Sequence, residues 1–264
     1  MSDPRVSVLI PAFRAEASVM ACLGSLLSGE NAQVPVEILL ESDDGGGYAA
    51  AAALSPRVRV GCVGVIGSGA GPARNRALDR ARAPLVACVD ADDRVAADYL
   101  PRLLAAAAGG PAAAVTRVLQ AGREVARFGR PGAALDLATL ARHGASFRGL
   151  VPRANCPRFV NDLSQDVLHM VECLLRHGPT PVADTLYDLN LGPGTITAAG
   201  DFAERVDGAY RRHVDRLAAL YPGHEGLADA QAVFHARRAL NRRFRAEALP
   251  GERFYAFIAR VLPA

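Results

Sequence analysis

Short apolar runs that end on polar or glycine-rich turns recur along the first half of the chain. Val6-Ser7-Val8-Leu9-Ile10 predicts a strand over 6–10, stopped by Pro11. Residues 15–29 then carry helical spacing at Val19, Cys22, Leu23, Leu26 and Leu27 before a glycine stop. The same reading gives strands over 36–40, 58–65, 85–89 and 112–120. Between them it gives helices over 48–54, 72–83 and 94–108, the last ended by Gly109-Gly110-Pro111. Strands alternating with helices at this spacing predict an α/β fold: a doubly wound, mostly parallel sheet flanked by helices. Such sheets bind ligands beyond the carboxyl ends of their strands.

The pattern weakens over 122–157, which is rich in Gly, Pro and Arg and yields one helix, 135–142, among loops and edge strands. An amphipathic helix follows over 166–177, with Val167, Met170, Val171, Leu174 and Leu175 on one face and Gly178-Pro179 as its stop. Residues 188–200 read as a loop containing Gly192-Pro193-Gly194. Helical patterns over 202–221, 226–249 and 252–262 make the last quarter a helical appendage. The expected organisation is a domain over 1–200, with halves 1–115 and 116–200, followed by a helical subdomain over 201–264.

With 264 residues, half of them apolar, the chain has enough material for a sizeable core. A formal net charge of +3, with acids and bases mixed throughout, gives no electrostatic case for a nucleic-acid partner. Every basic residue is Arg, a side chain suited to clamping phosphate. The five cysteines are odd in number and scattered through apolar runs, which predicts small core hydrophobes in a reducing, cytoplasmic setting. No apolar run is long enough to span a membrane, although peripheral contact with one stays open.

Candidate chemistry concentrates where two of the predicted strands end. The strand over 85–89 delivers Asp90-Ala91-Asp92-Asp93, and the one over 36–40 delivers Glu41-Ser42-Asp43-Asp44 before three glycines. Acids crowded on one turn raise a pKa or recruit a cation, and a divalent metal would in turn attract phosphate. The plainer alternative has Asp90 or Asp92 capping the helix over 94–108.

Four segments now occur in a telling order: Val8-Leu9-Ile10-Pro11-Ala12-Phe13, Glu37-Ile38-Leu39-Leu40 with Asp43 and Asp44, Gly69-x-x-x-Ala73-Arg74-Asn75, and Val89-Asp90-Ala91-Asp92-Asp93. Together they resemble the nucleotide-binding half of family 2 glycosyltransferases with the GT-A fold, over roughly the first 115 residues. The resemblance implies a nucleoside-diphosphate-sugar donor, most commonly a UDP-sugar, and a glycan, lipid or protein acceptor of unknown identity. It implies that Asp90 and Asp92 form a DxD motif around Mn²⁺ or Mg²⁺, with Ala91 between them against the nucleotide. It also implies Pro11, Ala12 and Phe13 beside base and ribose, Asp43 and Asp44 at the base, and Arg74 on the nucleotide. The catalytic base implied is Asp166, in the pair Gln165-Asp166 where the family commonly has Glu-Asp, and the transfer implied is inverting. Asp162 is the reserve candidate, and Ser42 departs from the family's usual Asp.

Other features compete. Gly67-Ser68-Gly69, entered from the strand over 58–65, looks like a dinucleotide-binding turn and supports an NAD- or FAD-dependent oxidoreductase as the alternative. Against it, Pro72 stands where a third glycine is wanted, and a whole β-α-β unit precedes the turn. A nucleotide-sugar binder without transfer chemistry is the other alternative. His169 reads as a solvated or capped residue, and Arg237, Arg238, Arg242, Arg243 and Arg245 as a solvated face paired with local acids. The stretch from Gly192 to Thr197 resembles the family's segment before a loop that closes over the nucleotide.

Overall fold

The computed structural model describes residues 3–62, 66–144, 146–192 and 202–262. The first half runs β1 (Val6–Ala12), α1 (Val19–Leu26), β2 (Val36–Ser42), α2 (Ala49–Leu54), β3 (Val58–Cys62), α3 (Ala70–Arg80) and β4 (Leu85–Cys88). A two-residue strand, β5 (Arg94–Val95), and α4 (Tyr99–Ala107) follow. Next come β6 (Ala112–Gln120), β7 (Arg123–Phe128), β8 (Ala134–Leu135), α5 (Leu137–His143), β9 (Gly149–Pro152), α6 (Gln165–His177) and β10 (Thr180–Leu191). The chain closes with α7 (Phe202–Leu220), α8 (Leu227–Glu247) and α9 (Phe254–Val261).

One sheet carries the molecule, in the order β3-β2-β1-β4-β9-β6-β10-β5, with β7 on β6 and β8 on β10. The first four strands pair in parallel, as the alternation with helices requires. Beyond β4 the sheet is mixed: β9 enters antiparallel to both β4 and β6, while β6 and β10 are parallel to each other. Both faces of the parallel part are buried. Val8, Ile10, Ile38, Leu40 and Ala87 face a core shared with α1 and α4, and Leu9, Leu39 and Val86 face one shared with α3 and α6. This double burial explains why these strands read as unbroken apolar runs rather than alternating ones. A further core joins α5, α6, β6 and β7 to the three last helices through Phe128, Leu140, Leu174, Tyr210, Phe234 and Phe257.

Several boundaries differ from expectation. Pro11 does not stop β1, because β1 pairs with β4 only as far as Leu9 and with β2 through Ala12, so Pro11 needs no donor toward β4. The helix expected over 94–108 starts only at Tyr99, since Arg94 and Val95 pair antiparallel with Asp188 and Tyr187 of β10. Neither Asp90 nor Asp92 therefore caps it. Residues 180–191, read in part as loop, form the longest strand, and β7 and β9 fill the stretch where the pattern was weak. Residues 63–65 of the third expected strand lie outside the described residues, as do 193–197 of the segment likened to a closing loop.

Candidate active site

The carboxyl ends of β1, β2 and β4 lie side by side and present Pro11 to Phe13, Asp43 with Asp44, and Asp90 to Asp92 along one edge. Ala12 and Ala91 are buried, Pro11 is half-buried, and Phe13 is 51% exposed at the rim, with the Arg14 guanidinium 5.1 Å from its ring centroid. Below that rim four charged side chains from four elements converge. Asp90 accepts a hydrogen bond from Arg74 Nη2 on α3 through Oδ1, and one from Arg148 Nη2, just before β9, at 2.8 Å through Oδ2. Arg148 then donates from Nη1 to Oδ2 of Asp166 at 3.1 Å. Asp166 stands in the first turn of α6, where the helix dipole favours a carboxylate. The two guanidinium groups also lie over aromatic rings, Arg74 at 5.4 Å from the Phe159 centroid and Arg148 at 5.8 Å from that of Tyr187.

Two carboxylates and two guanidiniums balance in charge, which is what permits Arg74 and Arg148 to be buried and both acids to be half-buried. Burial alone would push Asp90 up, but Arg74 and then Arg148 hold it well below the ordinary carboxylate range. Asp166 follows the same logic: burial raises it, Arg148 and Arg74 lower it, and the net direction is downward. Both acids are ionised near neutrality. Tyr187 of β10 fixes the backbone of the motif, its hydroxyl accepting from Asp90 N at 3.1 Å and donating to Asp93 Oδ2 at 2.6 Å. Asp93 also accepts from Asn190 N at 2.7 Å, so this third acid is a buried strut.

Asp92 is different. Its side chain reaches solvent and has no cation partner among the described residues, while partial desolvation and the neighbouring Asp90 raise its pKa. A carboxylate in that position fits one ligand of a divalent cation. Among the described residues no group of three or more His, Cys, Asp or Glu is arranged to hold a metal alone, so oxygens from water or a bound ligand would complete the shell. Asp90, with both oxygens already taken by arginines, fits the cation less well than the sequence pattern implies.

Asp43 and Asp44 are spent largely inside the protein. Asp43 is buried and accepts from Ser68 N at 3.1 Å, Ser68 Oγ, Gly69 N at 2.7 Å and Arg76 Nη2 at 3.1 Å. Its carboxylate thus sits on the amides leading into α3, where a dinucleotide fold would seat its pyrophosphate. That occupancy removes the structural basis for the oxidoreductase alternative. Asp44 accepts from Arg14 N, Ser42 Oγ at 2.9 Å, Gly46 N at 2.8 Å and Tyr48 Oη at 2.7 Å, and so shapes the glycine loop.

Other expectations need correcting. Asp162 is not at the cluster: Arg212 of α7 grips it with two bonds of 2.7 Å. His169 is neither solvated nor a cap. It is buried and stacked on Phe159, centroids 4.0 Å apart, and burial with the two arginines pushes its pKa down to about 3, so the ring is neutral. Arg243 pairs with Glu247 one turn on, as read, whereas Arg238 is half-buried and pairs with Asp207 of α7, and Arg237 is buried and donates to Gly144 O at 2.9 Å. Arg148 and Tyr187 were missed. Neither stands in a recognisable motif, and only the fold brings them to the acids.

A family model described as "Glycosyl transferase family 2" matches residues 7–161. Among solved structures, S. aureus TarS 1-349 in complex with UDP-GlcNAc is similar at TM-score 0.69 and 16% identity, covering 94% of this chain and 77% of that one. S. aureus TarS gives TM-score 0.66 and 15% identity over 94% of this chain, which spans only 46% of that protein. The mannosyltransferase PcManGT from Pyrobaculum calidifontis, in complex with GDP-Man and Mn2+, gives TM-score 0.57 and 16% identity, covering 94% and 77%. At these identities the likeness is one of fold. No curated protein sequence matches the chain.

Proposed function

The chain belongs to glycosyl transferase family 2, and on that premise we propose that it moves a sugar from a nucleoside-diphosphate-sugar, a UDP-sugar in our reading, to an acceptor hydroxyl with inversion. The observation that carries this is the Arg74-Asp90-Arg148-Asp166 cluster, lying against the carboxyl edge of the parallel strands and beside the exposed Asp92. The acceptor oxygen bonds to the anomeric carbon while the bond from that carbon to the diphosphate breaks. The acceptor proton passes to Asp166, and the electron pair leaves with the nucleoside diphosphate. Arg74 is the chain's own positive charge for the departing group. Asp92 would hold Mn²⁺ or Mg²⁺, which when bound neutralises charge developing on the diphosphate. Pro11, Ala12 and Phe13 would meet base and ribose, with Asp43 and Asp44 framing that pocket and Ala91 lining it.

The residues over 1–115 serve the donor in this reading, those over 116–200 the acceptor, and the helices beyond 201 brace the acceptor half. No helix among the described residues is long and apolar enough to cross a membrane. The cysteines Cys22, Cys88, Cys156 and Cys173 are free thiols, which supports a reducing, cytoplasmic setting.

The test is calorimetric titration with UDP, GDP and NAD, each with and without Mn²⁺. Metal-dependent binding of one nucleoside diphosphate, followed by its release from the matching nucleotide-sugar, is the expected result. NAD binding indifferent to metal, or nucleotide binding unaffected by Asp92→Asn, overturns the reading.

A further inference from the structure

Arg148 is 8% exposed and lies in the segment whose sequence pattern was weakest, yet it is the only described residue bonded to both Asp90 and Asp166. Its two amino groups are divided between them, Nη2 to the acid that follows β4 and Nη1 to the acid that opens α6. The backbone on either side of it is pinned. Ala114 N donates to Arg148 O at 2.8 Å, and at Gly149 an added Cβ would lie 1.8 Å from Ala112 O, so β9 meets β6 too closely for any side chain there. The Tyr187 ring lies beside the guanidinium. A planar, forked cation held on a rigid strand end and shared between two carboxylates fixes their relative placement, which a flexible ammonium cannot do.

We propose that Arg148 is the positioning residue of this site, orienting Asp166 toward the acceptor hydroxyl while anchoring Asp90 on the donor side. This rests on the reading of Asp166 as base. Arg148 acts through the two acids and touches neither sugar nor acceptor. Its position explains how a base on α6 is kept in register with a donor edge built from β1, β2 and β4. The groups facing Asp166 are Arg148, Arg74 and Asp90, with neutral His169 and His213 and the hydroxyls of Tyr210 and Tyr255 around them. Of these, Arg148 alone is hydrogen-bonded to it among the described residues.

The test compares Arg148→Lys and Arg148→Met with the parent protein, each checked for folding by circular dichroism. The Asp166 carboxyl is titrated by carbon NMR with labelled aspartate, its signal assigned by its loss in Asp166→Asn. Release of UDP from UDP-GlcNAc, with water as acceptor, gives kcat and KM. The expected result is an Asp166 midpoint that rises in both variants, more in Arg148→Met. Alongside it, kcat falls by about tenfold or more while KM changes by less than about threefold. Guanidinium ion, supplied at concentrations far below denaturing, should partly restore kcat to Arg148→Met and not to Asp166→Asn. If Arg148→Met does not fold, Arg148→Lys decides the matter by the same titration. An Asp166 midpoint unmoved in the folded variants overturns the proposal. Undiminished UDP release by Asp166→Asn, with the midpoint still shifted by Arg148→Lys, overturns instead the base assignment and leaves the Arg148-Asp166 linkage standing as structure.

Discussion

Replacing Asp43 by Asn separates two roles that a carboxylate at the end of β2 can have. In the structure both of its oxygens face donors from Ser68, Gly69 and Arg76, and the side chain is buried. An amide keeps one acceptor oxygen and turns an NH₂ group toward donors that were satisfied. With the amide oxygen kept at the Oδ1 position, the bond from Gly69 N is lost outright and those from Ser68 lose the carboxylate's charge, so the expected destabilisation is about 2–4 kcal/mol. For a chain of this size the melting temperature should fall on the order of 10 °C. Urea and thermal unfolding at neutral pH measure this directly. Calorimetry with UDP and Mn²⁺, in the cold where the variant is folded, should find an affinity within about threefold of the parent. The opposite pattern, an unchanged melt with UDP binding lost, would refute this account and make Asp43 a reader of the base.

Asp92→Asn removes an exposed carboxylate with no ion pair among the described residues, so unfolding should stay within about 0.5 kcal/mol of the parent while UDP binding loses its dependence on Mn²⁺. Asp90 and Asp166 both sit below their ordinary range in the folded protein. The stability they confer is therefore present above pH ~4 and lost as pH falls through their folded values. Unfolding free energies measured from neutrality toward acid should decline more gently in Asp166→Asn than in the parent. At Gly71 an added Cβ would lie 2.0 Å from Val160 O, a backbone atom, so Gly71→Ala should cost about 1–3 kcal/mol or more. An unchanged melting curve would contradict that packing of α3.

The parallel half of the sheet was legible because both of its faces are buried, and its strands stand out as apolar runs between glycine and proline stops. The acids at their ends were legible for the same reason: a cluster of carboxylates closing such a run has few purposes. What escaped was mostly beyond Gln120. β10 shifts register between Ala183 and Leu186, which destroys the alternation that would announce it. β9 is four residues long and β5 two, too short for any period to register. Arg148 carries no signal in a stretch crowded with other arginines, because its meaning comes entirely from Asp90 and Asp166, distant in sequence. His169 was misread because its neighbour in the stack, Phe159, comes from a loop that helical periodicity does not reach.

The position of β9 has a consequence for how the protein acquires its shape. β4 pairs with β1 on one side and with β9 on the other, and β9 arrives roughly sixty-five residues later along the chain. Until that segment emerges and closes against it, one flank of β4 is a bare edge of the kind that invites mispairing. The strand that delivers Asp90 is thus finished by the segment that delivers Arg148, and the two arrive in a single pairing event. A nascent chain ending before residue 148 would lack both that strand partner and its countercharge. Pairing of β9 with β4 and pairing of Arg148 with Asp90 are the same step.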